Sequence, residues 1–208
     1  MIVSLMHATP PDVVVKAIRM CHDSFDKMDS DLYSLGEKDK DLIRKVILEK
    51  GHESVSEHCS FTWEINDISE YAHVHLIRHR IGVSYSVQST RYTFIKSFLK
   101  NDEGIENFIV NTSSEELNKM AVEYLSKIRD FYQRNPDINK DIINQFIPRV
   151  YKLNLMATFN IRSLRHFIKL RNTKAAHYEI RELAEKMLRT LSKTEYSIFF
   201  EDLMEENK

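Results

Sequence analysis

The chain has 208 residues, which is enough for one sizeable domain and short for two. Apolar residues make up 42% and charged residues 29%, and 30 Lys+Arg against 31 Asp+Glu leave a formal net charge of -1, which argues against a general nucleic-acid binder with its basic excess. Two widely spaced cysteines, Cys21 and Cys59, rule out a disulfide framework or a paired-cysteine metal site and point to a reducing, cytosolic compartment.

In chain order, "MIVSLMHATPPD" lacks the basic start and long apolar run of a signal peptide, and "IVSLMH" within it alternates as a strand does. Residues 11–25 place Val14, Ala17, Ile18 and Cys21 at helical spacing, with Pro11 suited to the first turn. Residues 39–50 put Leu42, Val46 and Ile47 on one helical face, and Gly51 stops them. In "GHESVSEH" (Gly51 to His58), Ser54 is expected to cap a helix with Glu57 as its reciprocal partner. "CSFTWEI" (Cys59 to Ile65) reads as a strand, and Asp67 to Arg80 as a helix with Ile68, Ala72, Leu76 and Ile77 inward and Gly82 beyond its end.

A long helix then starts from an expected capping box, Thr112 to Glu115, and carries Leu117, Met120, Ala121, Tyr124, Ile128 and Phe131. "VYKLNLMATF" (Val150 to Phe159) fits strand or helix. "EIRELAEKMLRTL" repeats the helical pattern with Ile180, Leu183, Ala184, Met187 and Leu191. Only four Gly and four Pro interrupt the chain, no repeat or linker is visible, and no segment reaches the roughly 20 apolar residues of a membrane span. The expectation is one α+β domain over 1–208, rich in helix, with a small sheet.

Two segments carry chemistry. "RHRIGVSYSVQSTRY" (Arg78 to Tyr92) gathers Arg78, Arg80 and Arg91 with Ser84, Ser86, Ser89 and Thr90, expected on a loop. Guanidinium groups offer paired donors and the hydroxyls complete a shell matched to phosphate. The pattern is neither a P-loop nor a Rossmann turn. Cations at the end of the preceding helix would complement its dipole, but that accounts for one or two of them only. The second segment, "NIRSLRHFIKLR" (Asn160 to Arg171), has Asn160 as N-cap and Ile161, Leu164, Phe167 and Ile168 as its apolar face. Arg162, His166 and Lys169 form a polar stripe, Arg171 ends it, and the stripe reads as a wall facing bound phosphates. No metal site is expected, because His52/His58 and His73/His75 have the wrong spacing for a shared helical face.

Together these motifs resemble the flavin-dependent thymidylate synthases. That family shows RHR followed by S-x-R-Y, matched by Arg78-His79-Arg80 and Ser89-Thr90-Arg91-Tyr92. It shows GHE[ST]xxEH, matched by Gly51 to His58, and N-x-R-S-L-x-x-F-x-x-L-R, matched from Asn160 to Arg171. The resemblance implies reductive methylation of dUMP to dTMP, with methylenetetrahydrofolate as carbon donor, FAD as hydride carrier and NADPH as reductant. It implies FAD contacts from Ser54, Arg78, His79, Arg80, Val87, Asn160, Arg162 and His166. For dUMP it implies His75, Arg78, Val87, Gln88, Ser89, Thr90, Arg91 and Asn144, with Arg171 at the uracil as the catalytic cation. It further implies a cytoplasmic homotetramer acting on small molecules, with neither nucleic acid nor membrane as partner. No enzyme nucleophile is required, so Ser89 is assigned to binding. A second reading keeps the Arg/Ser segment as a helical module that binds nucleotide or RNA without catalysis; bound flavin separates the two.

The chain departs from the family at three places. Eight residues rather than about seven lie between Arg80 and Ser89, the extra one near Val83. Val87 stands where several members carry an acid or amide, so only its backbone is available. Asn144 stands where members often have a basic residue, which predicts dUMP affinity weaker by about 1.5–3 kcal/mol.

Overall fold

The computed structural model describes residues 1–100 and 104–205. β1 (Ile2–Ala8) leads into α1 (Asp12–Cys21), α2 (Glu37–Ile43) and a wider-wound continuation of α2 over Arg44–Glu49. A 3₁₀ segment, Glu53–His58, precedes β2 (Ser60–Ser69), α3 (Glu70–Leu76) and β3 (Val83–Val87). α4 (Thr90–Thr93), α5 (Glu115–Arg134) and α6 (Lys140–Asn144) follow. β4 (Lys152–Asn160), α7 (Ile161–Arg171), α8 (Tyr178–Leu191) and α9 (Glu201–Glu205) complete the order. The expected α+β class, helices with a small antiparallel sheet, holds.

The sheet runs β1-β2-β4-β3. Thr62 and Thr158 face each other across β2 and β4 with hydroxyl oxygens 3.0 Å apart. Asp67 adopts φ 61°, a left-handed residue inside β2 of the kind that marks a bulge, and its N–H donates to Asn154 Oδ1 at 3.1 Å. β2 alternates cleanly, with Phe61, Trp63 and Ile65 fully buried, as period two requires.

Backbone proximity divides the chain into two compact units. One comprises residues 1–2, 65–76 and 86–155; the other comprises 3–64, 77–85 and 156–208. In the first, Phe94 and Phe98 stack at 5.0 Å with Tyr151 edge-on, and Leu125 and Ile109 are buried too. In the second, Phe61 meets Tyr196 edge-on at 5.0 Å, and Ile180, Leu183, Ala184, Met187 and Leu191 of α8 are all fully buried. The expected face of α8 is therefore the observed one.

Several expectations shift. α3 begins at Glu70 and ends at Leu76, because β2 continues through Ser69; Arg78, His79 and Arg80 lie beyond the helix and not in its last turn. The expected loop after them contains β3, whose Val-Ser-Tyr-Ser-Val alternation puts Ser84 and Ser86 outward. On α1 the buried apolar residues are Val14, Val15 and Ile18, while Cys21 is exposed. Ile43 and Ile47 are the buried pair of the second helical region, with Leu42 and Val46 half-buried. Ser54 caps nothing. α5 is capped by Ser114, whose hydroxyl accepts from Leu117 N at 3.3 Å, while Thr112 bonds Asn118. Leu125 and Tyr132 are the buried residues of α5; of the expected stripe, Leu117, Met120, Tyr124 and Phe131 face outward while Ala121 and Ile128 are half-buried.

Candidate active site

α7 turns its apolar face fully inward: Ile161, Leu164, Phe167 and Ile168 are each at most 1% exposed. The opposite face therefore presents Arg162, His166 and Leu170, one turn apart, with Arg171 at the helix end. The helix is started by Asn160, whose Oδ1 accepts from Ser163 N at 2.8 Å. Asn160 N also donates to Gly82 O at 3.0 Å, and Ser163 Oγ donates to Ile81 O. Gly82 sits at φ 65°, and a Cβ there would collide with the Asn160 and Ser163 side chains. A glycine is thus required twice over, by its dihedral and by the close approach. These contacts clamp the Arg78–Gly82 segment onto the first turn of α7.

The result is a cavity of about 890 Å³. Arg78, Arg80, Arg162 and Arg171 supply its cations, Glu53 and Glu57 its acids, and Ile81 and Leu170 its apolar surface. Ile81 is 90% exposed, so it offers the cavity a fully accessible apolar face. Among the described residues, neither Arg78 nor Arg80 forms an ion pair. Arg162 Nη1 lies 2.6 Å from Glu57 Oε1, and its Nε lies 3.6 Å from Glu53 Oε2; the Glu57 hydrogen bond raises its already high pKa.

His79 is the most perturbed group in the cavity. Its Nε2 accepts a hydrogen bond from Arg171 Nε at 3.0 Å. Its ring stands edge-on to Phe167 at 5.1 Å and to His166 at 6.0 Å, and its carbonyl accepts from Tyr85 OH at 3.0 Å. Burial, then the Arg171 charge and the neighbouring His166, push its pKa down to about 4.

Of the residues singled out in sequence, Arg78, His79, Arg80, Asn160, Arg162, His166 and Arg171 line this one cavity. Ser54 does not line it, although its neighbours Glu53 and Glu57 do. Lys169 gives way to Leu170, because one helical turn from His166 falls at residue 170. His75, Val87, Gln88, Ser89, Thr90, Arg91 and Asn144 belong to the other unit. There His75 stands edge-on to Tyr71 at 5.0 Å. Gln88 is committed to the backbone of β4: its Oε1 accepts from Asn154 N at 3.1 Å and its Nε2 donates to Thr93. Arg91 meets Asp141 with Nε at 2.6 Å from Oδ1 and Nη2 at 3.0 Å from Oδ2. Asn144 has a buried Oδ1 with no hydrogen-bond partner among the described residues.

Sequence reasoning missed Glu53, Glu57, Ser163, Ile81 and Leu170. The two acids stand four apart, and their attraction for Arg162 is the signal that was available. It also missed Arg165, which is buried and held by Asp202 at 2.8 Å and by Glu53 at 3.3 Å, a structural cation behind the cavity wall.

The chain matches the family model described as thymidylate synthase complementing protein over residues 4–194. It belongs to the flavin-dependent thymidylate synthase family. The flavin-dependent thymidylate synthase of Campylobacter jejuni is 36% identical over 205 residues, covering 95% of each chain. That of Wolinella succinogenes is 36% identical over 205 residues, covering 96% of this chain and 97% of its own. Thymidylate synthase X of Helicobacter pylori, solved with FAD and dUMP, superposes with a TM-score of 0.86 at 33% identity, over 96% of this chain and 97% of that one.

Flavin-dependent synthases need a home for a dinucleotide, and the cavity here suits one chemically. Its guanidinium groups match a diphosphate, Ile81 and Leu170 offer apolar faces to flat rings, and Gly82 lets backbone approach closely.

Proposed function

We propose that this chain catalyses reductive methylation of dUMP to dTMP, with methylenetetrahydrofolate as carbon donor, FAD as hydride carrier and NADPH as reductant. The observation that carries the reading is the convergence of the Arg78–Arg80 segment and the α7 face on one cation-lined cavity. When bound, FAD supplies the hydride chemistry. The chain's own residues bind, orient and polarise. Arg78, Arg80 and Arg162 hold phosphate oxygens, with Arg162 exchanging Glu57 for the ligand; Asn160 and His166 flank them, and His79 belongs to the same cofactor wall.

For dUMP the family resemblance assigns contacts to His75, Arg78, Gln88, Ser89, Thr90 and Arg91, with Val87 contributing backbone and Asn144 replacing a basic residue. Arg91 keeps Asp141 on its Nε edge, which leaves Nη1 for a phosphate oxygen. Gln88 acts by fixing the strand end that carries Ser89. Arg171 stabilises the anionic uracil as charge develops on the ring. One such fixed donor contributes roughly 3 kcal/mol, and arginine does so without accepting a proton.

No cysteine nucleophile enters this chemistry, in keeping with Cys59. Burial and then Asp12 push its thiol up to about 12, so it carries no thiolate at neutral pH. The whole of 1–208 acts as one functional domain in a cytoplasmic homotetramer without nucleic-acid or membrane partners. Self-association is supported by the outward apolar stripe of α5. Among the described residues no helix is long and apolar enough to cross a membrane.

The deciding experiment is a visible absorbance spectrum of the purified protein after FAD addition and gel filtration. A retained flavin band, bleached by NADPH in the presence of dUMP, supports the synthase. A protein that retains no flavin but binds RNA with steep salt dependence overturns it.

A further inference from the structure

Several arginines of this molecule are held by carboxylates. Arg165 is held by Asp202 and Glu53, Arg162 by Glu57, Arg91 by Asp141 and Arg19 by Asp39. Arg171 is held differently. Its backbone is fixed by the end of α7, where Asn172 N donates to Ile168 O at 2.8 Å, and its Nε donates to His79 Nε2 at 3.0 Å. A carboxylate in that place would orient the guanidinium but cancel much of its charge. A neutral imidazole orients it and leaves the charge intact.

We propose that His79 is a positioning residue for Arg171: its Nε2 lone pair holds the guanidinium by Nε alone and aims the four remaining N–H groups of Arg171 into the cavity. A guanidinium has five N–H donors, so the contact uses the one least able to form an end-on pair and leaves the terminal fork whole. For Nε2 to accept, the ring proton must reside on Nδ1. Phe167 packs edge-on against the ring, and Tyr85 OH anchors the residue's carbonyl. The charged or titratable groups facing the imidazole are Arg171 and His166 from α7 and Tyr85 from β3, with Arg78 and Arg80 beside it in the chain. The cations oppose its protonation, and a protonated ring would turn a donor against Arg171. The depressed pKa of about 4 agrees with this arrangement and keeps the strut proton-free at Nε2 across the neutral range.

The inference rests on Arg171 acting at the anionic uracil. It shifts the role of His79 from touching flavin to aiming another side chain.

The test is a double-mutant cycle on the FAD-loaded enzyme, with dUMP affinity measured by calorimetry, kcat and KM measured separately, and flavin retention read by absorbance. His79→Leu removes the acceptor, while His79→Gln restores one as an amide oxygen. His79→Leu is expected to lower kcat and dUMP affinity by roughly 10–100-fold, the scale of a misplaced catalytic group, with flavin retained. His79→Gln should recover much of that loss. In an Arg171→Ala background, His79→Leu should have no further effect, because its consequence passes through Arg171. Multiplying losses in the double variant, or flavin loss from both His79 variants, would overturn the proposal and return His79 to direct flavin contact. If His79→Leu fails to fold, His79→Gln decides: its losses must vanish in the Arg171→Ala background. Arg171→Ala behaving like the parent enzyme would sink the assignment of Arg171 to the uracil, a failure distinct from that of the strut.

Discussion

At Gly82 the backbone stands at φ 65° while the Asn160 and Ser163 side chains close over the space a Cβ would fill. Gly82→Ala therefore meets two penalties, the left-handed conformation and displacement of the α7 cap. The conformational part alone costs about 1–3 kcal/mol. A lower melting temperature together with weakened flavin retention is expected, since the same residues shape the cavity wall; an unchanged flavin affinity would separate the clamp from the site.

His79 gives a pH prediction with a definite sign. Its folded pKa of about 4 lies below the ordinary 6.5, so between those values the unfolded chain binds more protons than the folded one. Its contribution to stability is fully present above pH 6.5 and is lost as pH falls toward 4. Urea midpoints at pH 7 and pH 4.5 should differ less for His79→Gln than for the parent chain; an equal acid shift in both would assign the loss to other groups.

Asn144 is the third residue with a measurable consequence. Its Oδ1 is buried without a hydrogen-bond partner among the described residues, and it ends α6 three residues after the acid that holds Arg91. If a phosphate contact is simply missing there, Asn144→Arg should tighten dUMP by about 1.5–3 kcal/mol in a titration. No tightening would mean that the contact is supplied elsewhere, with Arg149 and Lys152 the nearby candidates in sequence.

Helix α7 was the most legible element. Its cap, buried face and cationic face follow from period and residue type alone, because a single amphipathic pattern dictates all three. Its cap is also testable: Asn160→Ala should cost about 1 kcal/mol in thermal or urea unfolding, with Asn160→Asp recovering most of it. β3 was less legible. Five alternating residues between two arginine clusters read as a loop when attention falls on the serines, although the alternation itself is the strand signal. The boundary of α3 was hidden for another reason. β2 runs past a left-handed Asp67 to Ser69, a tertiary choice made by pairing with β4 that local periodicity cannot announce. The acids of the cavity escaped because carboxylates look wrong in a phosphate site, although Glu57 in fact pairs with Arg162 at 2.6 Å.

At the scale of the whole molecule, the long helix α5 poses the problem that helical periodicity alone could not solve. Leu117, Met120, Tyr124 and Phe131 recur at helical spacing and read as a core face, yet Leu117 and Met120 are each 57% exposed, and Leu125 and Tyr132 are the residues turned inward. Periodicity reports that a face is apolar, but not which chain covers it. Phe146 and Ile142 are about half exposed as well, and Tyr124 OH donates to Phe146 O at 2.9 Å, so the apolar surface continues from α5 toward α6. A run of this kind on a single protomer marks an association surface, and the homotetramer proposed above supplies another copy of the chain as its cover. Burying a Leu or Met side chain contributes about 1.5–3 kcal/mol, so two charges placed at the N-terminal end of the stripe should break the contact. Leu117→Glu combined with Met120→Glu is expected to lower the mass seen by light scattering on a sizing column, while the far-ultraviolet dichroism of the protomer stays intact, because neither side chain is part of its core. An unchanged mass with these charges in place would mean that another surface joins the copies.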